Sequence, residues 1–208
     1  MTRELRGLYV IIDPAATAGR DELEVARLAL EGGALLLQLR DKVREKGEQL
    51  TLAKALADLC RQNDALFVMN DHVDIALDSG ADGIHLGQSD LSIAALRRLV
   101  PAEMIVGCST NNTGEACRAE QDGADYVSVG RLFPTGSKTD TRPATLDTLR
   151  EVKVAVSLPV CAIGGINESN IDDVIAAGAD MVAVIAAVVA APDVRKATET
   201  LAARFRAS

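Results

Sequence analysis

Several short polar stretches in this chain have residue types suited to holding anions and a divalent metal. In Gln38-Leu39-Arg40-Asp41-Lys42, residues 38, 40 and 42 would share one face of an extended segment. An amide and two cations on one face suit an anionic ligand; a solvated strand end with exposed charge is the alternative. Asn70-Asp71 and Gly87-Gln88-Ser89-Asp90 each follow an apolar run. Asp71 and Asp90 could cap the helices that come next. As a pair beside cationic groups they would equally suit Mg2+, which takes one or two carboxylates and completes its shell with phosphate and water. Ser109 offers an N-cap or a ligand hydroxyl. The stretch Arg131–Pro143 is polar and contains Thr135, Gly136 and Ser137 next to Lys138. Two hydroxyls and an ammonium fit an anion, and long loops in compact domains often serve as lids; a plain surface loop is the alternative. Gly164-Gly165-Ile166-Asn167 opens a helix, and glycine lets backbone N–H groups approach phosphate oxygens closely. His72, His85 and Cys108 receive no catalytic role, Cys108 because no base flanks it.

These stretches become one site only if the fold gathers them. A recurring Gly-Ala-Asp precedes an apolar run at 80–82, 123–125 and 178–180, with a weaker copy at Gly33-Ala34. Each copy reads as a helix ending at a glycine, then a buried strand. Further runs at 8–12, 65–70, 104–109 and 159–164 interleave with these, and amphipathic stretches such as 21–31, 45–62 and 145–156 fill the gaps. Alternating strand–helix units give a parallel sheet. Eight of them predict a single (β/α)8 TIM barrel over residues 1–208, whose site lies at the C-terminal strand ends. An open doubly wound sheet usually has a glycine-rich first turn, and here that turn is Asp13-Pro14-Ala15. All the polar stretches above stand at predicted strand ends.

Composition narrows the partners. Three Phe, two Tyr and no Trp leave few platforms for stacking nucleobases, and a net charge of −8 provides no field for a polyanion. The four cysteines form no CxxC and no zinc spacing, which predicts free thiols in a reducing cytoplasm. The N-terminal apolar run is too short for a signal peptide, and Met181–Ala191 is too short to span a bilayer. The expected partners are small phosphorylated molecules, with neither nucleic acid nor membrane; a homo-oligomer is compatible with the sequence.

Taken in order, QLRDK, MNDHVDIAL, ADGIHLGQSD, GCST, VGRLFPTGSK and AIGGIN resemble the thiamine-phosphate synthase family, from the first strand to the final helix. The resemblance implies coupling of 4-amino-2-methyl-5-hydroxymethylpyrimidine diphosphate to a thiazole phosphate, with Mg2+ required. It would place Gln38, Arg40, Lys42, Asn70, Ser109 and Lys138 on the pyrimidine diphosphate, with Arg40, Lys42, Ser109 and Lys138 catalytic. Asp71 and Asp90 would hold Mg2+. Thr135, Gly136, Ser137, Gly165, Ile185 and Ala186 would hold the thiazole phosphate. Two positions depart from the family pattern: Ser137 replaces a frequent Thr, and Ala186 replaces a usual Ser, removing a hydroxyl. A thiazole tautomerase would need no diphosphate clamp. A sugar-phosphate decarboxylase or epimerase would need an acid/base residue or another metal constellation. A non-catalytic thiamine-phosphate binding protein would not need Arg40, Lys42 and Lys138.

Overall fold

A computed structural model describes residues 4–136 and 142–206. Eight parallel strands close into a barrel in sequence order: β1 Gly7–Ile12, β2 Leu36–Leu39, β3 Leu66–Asn70, β4 Gly83–Leu86, β5 Ile105–Thr110, β6 Tyr126–Val129, β7 Val160–Ile163 and β8 Met181–Val184. Strand β1 pairs with both β2 and β8. Helices α1 Glu22–Glu31, α2 Lys46–Gln62, α3 Val73–Ser79, α4 Ile93–Leu96, α5 Thr113–Gln121, α6 Leu146–Ala155, α7 Ile171–Ala176, α8 Ala186–Val189 and α9 Val194–Ala202 follow the strands. The expected barrel is therefore present, and each predicted strand lies within a residue or two of an observed one.

The Gly-Ala-Asp repeat has a physical explanation at the bottom of the barrel. Gly80, Gly123 and Gly178 take φ of +70°, +96° and +99°, the left-handed turn that releases the chain from a helix. The alanine is buried each time. The aspartate accepts a backbone N–H near the start of the preceding strand: Asp82 from Phe67 (2.8 Å), Asp125 from Val106 (2.7 Å) and Asp180 from Val160 (2.7 Å). Those donors would otherwise lie unpaired at the edge of the closed sheet. The weaker copy has Leu35 in place of the aspartate, and Leu35 is exposed.

Two apolar clusters divide the core. The larger packs the helices on the outside of the barrel, through residues such as Leu8, Val10, Leu37, Phe67, Ile84 and Val127. The smaller fills the inside, through Tyr9, Leu36, Val68, Tyr126 and Met181. Both faces of every strand are thus covered, which accounts for unbroken apolar runs in the sequence. One interior contact is unusual: a Cβ on Gly107 would lie 2.1 Å from Cζ of Tyr126. Gly107 leaves the space through which the Tyr126 ring crosses the barrel.

Candidate active site

Above this plug the C-terminal strand ends surround a cavity of about 490 Å³. Of the predicted site residues, Gln38, Arg40, Lys42, Asn70, Asp71, Asp90, Ser109, Thr135, Gly165, Ile185 and Ala186 line it. Gly136 is exposed and stands outside its wall. Ser137 and Lys138 lie outside the described residues.

Residues 38, 40 and 42 do face the mouth, although β2 ends at Leu39. Each is held by a partner that local sequence did not supply. Gln38, 3 % exposed, donates through Nε2 to the Tyr9 hydroxyl at 2.6 Å. The Arg40 guanidinium pairs with Asp13 at the end of β1. The Lys42 ammonium pairs with Asp71. Asp41, between them, points away from this group: its buried carboxylate accepts the N–H groups of Val43 (2.9 Å) and Arg44 (3.0 Å) and closes the turn into α2.

The helix-cap alternatives for the two aspartates are excluded by geometry. The N-cap residue of α3 is His72, without a side-chain cap bond, and that of α4 is Ser92, which accepts from Ala95 N–H. Asp71 takes φ of +63°, a conformation L-residues rarely adopt, and turns its carboxylate toward Lys42 and Asp90. Burial acts to raise the Asp71 carboxyl, but the hydrogen bonds from Lys42 and Asp90 outweigh it and hold it below the usual range. Burial and the neighbouring Asp71 carboxylate push Asp90 the other way, up, although Gly87 N–H donates to it at 2.7 Å. Two carboxylates this close disfavour ionising together, so a proton or a cation between them is stabilising. A divalent cation would relieve that repulsion, so the pair fits Mg2+ with the remaining positions left to phosphate and water. Among the described residues no group of three or more His, Cys, Asp or Glu could hold a metal ion.

Ser109 is not a cap either, since Asn112 caps α5. Its hydroxyl meets His85 Nε2 at 2.9 Å, and its carbonyl accepts from Gln88 Nε2 at 2.6 Å. Cys108 next to it is pushed up to about 11 by burial, so it stays a thiol at neutral pH.

The opposite side of the mouth is built from backbone. Gly164 and Gly165 have φ of +103° and +66°. A Cβ on Gly165 would lie 2.6 Å from the Pro134 carbonyl oxygen, so only glycine lets the segment after β6 lie against this turn. Phe133 N–H donates to the Gly164 carbonyl at 3.0 Å. Ala186 and Ala187 lie in the first turn of α8, where backbone N–H groups lack helical acceptors. The base of the 131–143 connection is tied to itself: Arg131 N–H donates to Arg142 O (3.2 Å) and Ala144 N–H to Arg131 O (2.8 Å). Asn111 Nδ2 adds bonds to the carbonyls of Gly130 and Arg142, both at 3.0 Å. The Arg142 side chain forks onto Glu115 at 2.7 and 2.9 Å.

Sequence reasoning missed Tyr9, Asp13, His85, Gln88, Asn111, Arg131 and Arg142. His85, read as a core histidine, is buried with both ring nitrogens bonded, yet it also lines the cavity. Arg131 carried a usable signal: it is a cation directly after the sixth predicted strand.

Fold and site together define a (β/α)8 barrel whose mouth pairs a charged, carboxylate-bearing half with a glycine-turn half of the kind that binds phosphate. The chain belongs to the thiamine monophosphate synthase family, whose pattern matches residues 8–188. It is 46 % identical to a thiamine-phosphate synthase of Methanospirillum hungatei over 94 % of this chain and 96 % of that protein. A thiamine-phosphate synthase of Moorella thermoacetica is 48 % identical over 93 % of each chain. The thiamine phosphate pyrophosphorylase structure from Pyrococcus furiosus superposes with a TM-score of 0.90 at 43 % identity, covering 97 % of this chain and 96 % of that one. A 3-hexulose-6-phosphate synthase structure at 22 % identity, with a TM-score of 0.73, shares the fold.

Proposed function

We propose that this chain joins 4-amino-2-methyl-5-hydroxymethylpyrimidine diphosphate to 4-methyl-5-(2-phosphoethyl)thiazole, or its carboxylated form, giving thiamine phosphate and pyrophosphate. The observation that supports this reading is that one cavity is lined by two unlike halves, each suited to an anion. On one side stand Arg40, Lys42, Asp71, Asp90 and Ser109; on the other, Gly164, Gly165 and Ala186. A one-substrate barrel needs one such site, and a coupling enzyme needs two facing each other.

Asp71 and Asp90 would hold Mg2+, which supplies charge neutralisation on the diphosphate when bound. The carbon–oxygen bond to the diphosphate breaks with its electron pair going to the leaving group, and the thiazole nitrogen lone pair closes the new carbon–nitrogen bond. This chemistry requires no strong base, and the described residues of the wall offer none: Cys108 stays a thiol and the Asp71 carboxyl is held below its usual range. Arg40 and Lys42, with Lys138 from the 131–143 connection, stabilise the charge that grows on the leaving diphosphate. Asn70 and Gln38 orient the pyrimidine. Thr135, Gly136 and Ser137 are assigned to the thiazole phosphate, and closure of the mouth would exclude water that would trap the cationic carbon. Gly165, Ile185 and Ala186 supply backbone contacts to the thiazole phosphate.

Among the described residues no helix is long and apolar enough to cross a membrane. The four cysteines form no disulfide and three are buried, which fits a reducing compartment such as the cytoplasm. Incubating both substrates with the protein and Mg2+ tests the proposal. Thiamine phosphate and pyrophosphate should appear in equal amounts; formation of neither refutes it.

A further inference from the structure

The barrel plug directly beneath the cavity contains a continuous polar chain. Gln38 Nε2 lies 2.6 Å from Tyr9 Oη, Tyr9 Oη 3.2 Å from Tyr126 Oη, Tyr126 Oη 2.9 Å from His85 Nδ1, and His85 Nε2 2.9 Å from Ser109 Oγ. The groups come from five strands and are nearly all enclosed: Tyr126 is 0 % exposed, Tyr9 2 %, Gln38 3 % and His85 8 %. The His85 and Tyr126 rings stack at 5.5 Å, and Tyr9 meets Tyr126 edge-on at 6.3 Å. Barrel interiors are ordinarily filled with branched apolar side chains. A buried polar chain is costly unless every member is satisfied, and here the two ends open on the substrate cavity.

Proton counting follows one direction along the chain. Burial drives both tyrosines far above their usual titration range, so each hydroxyl keeps one proton to donate. Gln38 donates its amide N–H to Tyr9; either hydroxyl can donate between Tyr9 and Tyr126, and the role of His85 Nδ1 depends on its tautomer, so a relay running outward from Gln38 has Tyr9 donating to Tyr126 and Tyr126 to His85 Nδ1. A neutral imidazole accepting at Nδ1 carries its proton on Nε2 and donates it to Ser109 Oγ. The Ser109 hydroxyl proton is then left to point into the cavity as a donor, and the Gln38 carbonyl oxygen is left as an acceptor.

Resting on the function proposed above, we infer that Tyr9, Tyr126 and His85 are positioning residues. They form a one-way relay that presents Gln38 as an acceptor to the pyrimidine amino group and Ser109 as a donor to the substrate. Neither tyrosine need touch the substrate. The relay sets the hydrogen-bonding sense of the two groups that do, which the sequence of either strand alone leaves undetermined.

The tautomer of His85 reads the direction without any turnover assay. The chain has only two histidines, so a nitrogen-15 spectrum of histidine-labelled protein, with His72→Gln for assignment, resolves His85. At a pH where the imidazole is neutral, the proton should sit on Nε2. A proton on Nδ1 overturns the direction and the proposal with it. Tyr126→Phe removes the donor to Nδ1, so the single tautomer should be lost. Tyr9→Phe removes the proton that Tyr126 accepts, so the preference of His85 for a proton on Nε2 should weaken while Gln38 loses its anchor. Each variant should lower kcat/KM for the pyrimidine diphosphate about tenfold, the value of one hydrogen bond, and leave KM for the thiazole phosphate unchanged. A merely structural role would lower thermal stability in both variants without altering the tautomer or separating the two KM values, and that result also refutes the relay. If Tyr126→Phe does not fold, the wild-type spectrum and Tyr9→Phe still decide. Should the wild type form no thiamine phosphate, the functional reading falls, while the tautomer still reports on the relay.

Discussion

Arg40 is the residue at which a structural and a chemical role can be separated by measurement. Its guanidinium is 19 % exposed and its partner Asp13 is 5 % exposed, so the pair lies between surface ion pairs, worth about 0–1 kcal/mol, and buried pairs, where losing one partner costs about 3–5 kcal/mol. Arg40→Ala leaves the Asp13 carboxylate enclosed with one described donor, Ala15 N–H at 3.1 Å. A destabilisation of about 2 kcal/mol is expected, or roughly 4–8 °C in Tm for a domain of this size. Turnover should fall about 10²–10³-fold, the usual consequence of removing one preorganised charge contact. The double variant Arg40→Ala, Asp13→Asn removes the orphaned charge and keeps an oxygen for Ala15 N–H. Thermal unfolding should show most of the lost stability regained. Steady-state kinetics with both substrates should show turnover as low as in the single variant. Recovery of turnover in the double variant would refute the catalytic assignment, because it would mean that Arg40 acts only by neutralising Asp13.

A chelator should abolish product formation and added Mg2+ should restore it; in Asp71→Asn, Asp90→Asn the Mg2+ concentration for half-maximal rate should rise more than tenfold, and an unchanged value removes both carboxylates from the metal. Ala186→Ser returns a hydroxyl to the glycine-turn half of the mouth and should lower KM for the thiazole phosphate up to about tenfold, with kcat little changed. Arg131→Gln removes a cation from the cavity wall beside Gly164 and should raise the same KM about 10–100-fold; a shift in the pyrimidine KM instead would place Arg131 in the other half. Asp41→Asn should cost about 1–3 kcal/mol at neutral pH, because a neutral amide replaces a buried acceptor of two backbone N–H groups. Burial opposes ionisation of Asp41, but the N–H groups of Arg44 and Val43 and the Arg44 side chain outweigh it and depress its pKa. Its contribution is therefore present above the ordinary aspartate value of about 3.9 and lost as pH falls through the lower folded value. Denaturant unfolding of wild type and variant should converge in acid.

The sequence by itself determined the barrel and most of the wall of its site. The Gly-Ala-Asp repeat is legible because each residue does local work: a left-handed turn, a buried methyl and a carboxylate for a strand-edge N–H. Alternation of apolar runs with amphipathic stretches then set the strand order, and reading the residue after each run collected Gln38, Arg40, Lys42, Asp71, Asp90, Ser109 and Gly165. What remained undecided had two physical origins. Strands covered on both faces read as continuous apolar runs, so no pattern shows which alternate residues point inward. Tyr9, Tyr126 and His85 therefore looked like ordinary core, and only barrel closure brought Tyr9 and Tyr126, 117 positions apart, into contact. The second origin is that the same local signal serves two ends. An aspartate after a strand can cap a helix or face a ligand, and the tertiary neighbours Lys42 and Asp90, together with φ of +63° at Asp71, turn its carboxylate to the cavity and leave the cap position to His72. Strand ends and their chemistry are local properties of the chain; partners such as Asp13 for Arg40, and the direction of a hydrogen bond through the plug, exist only once eight strands have closed around them.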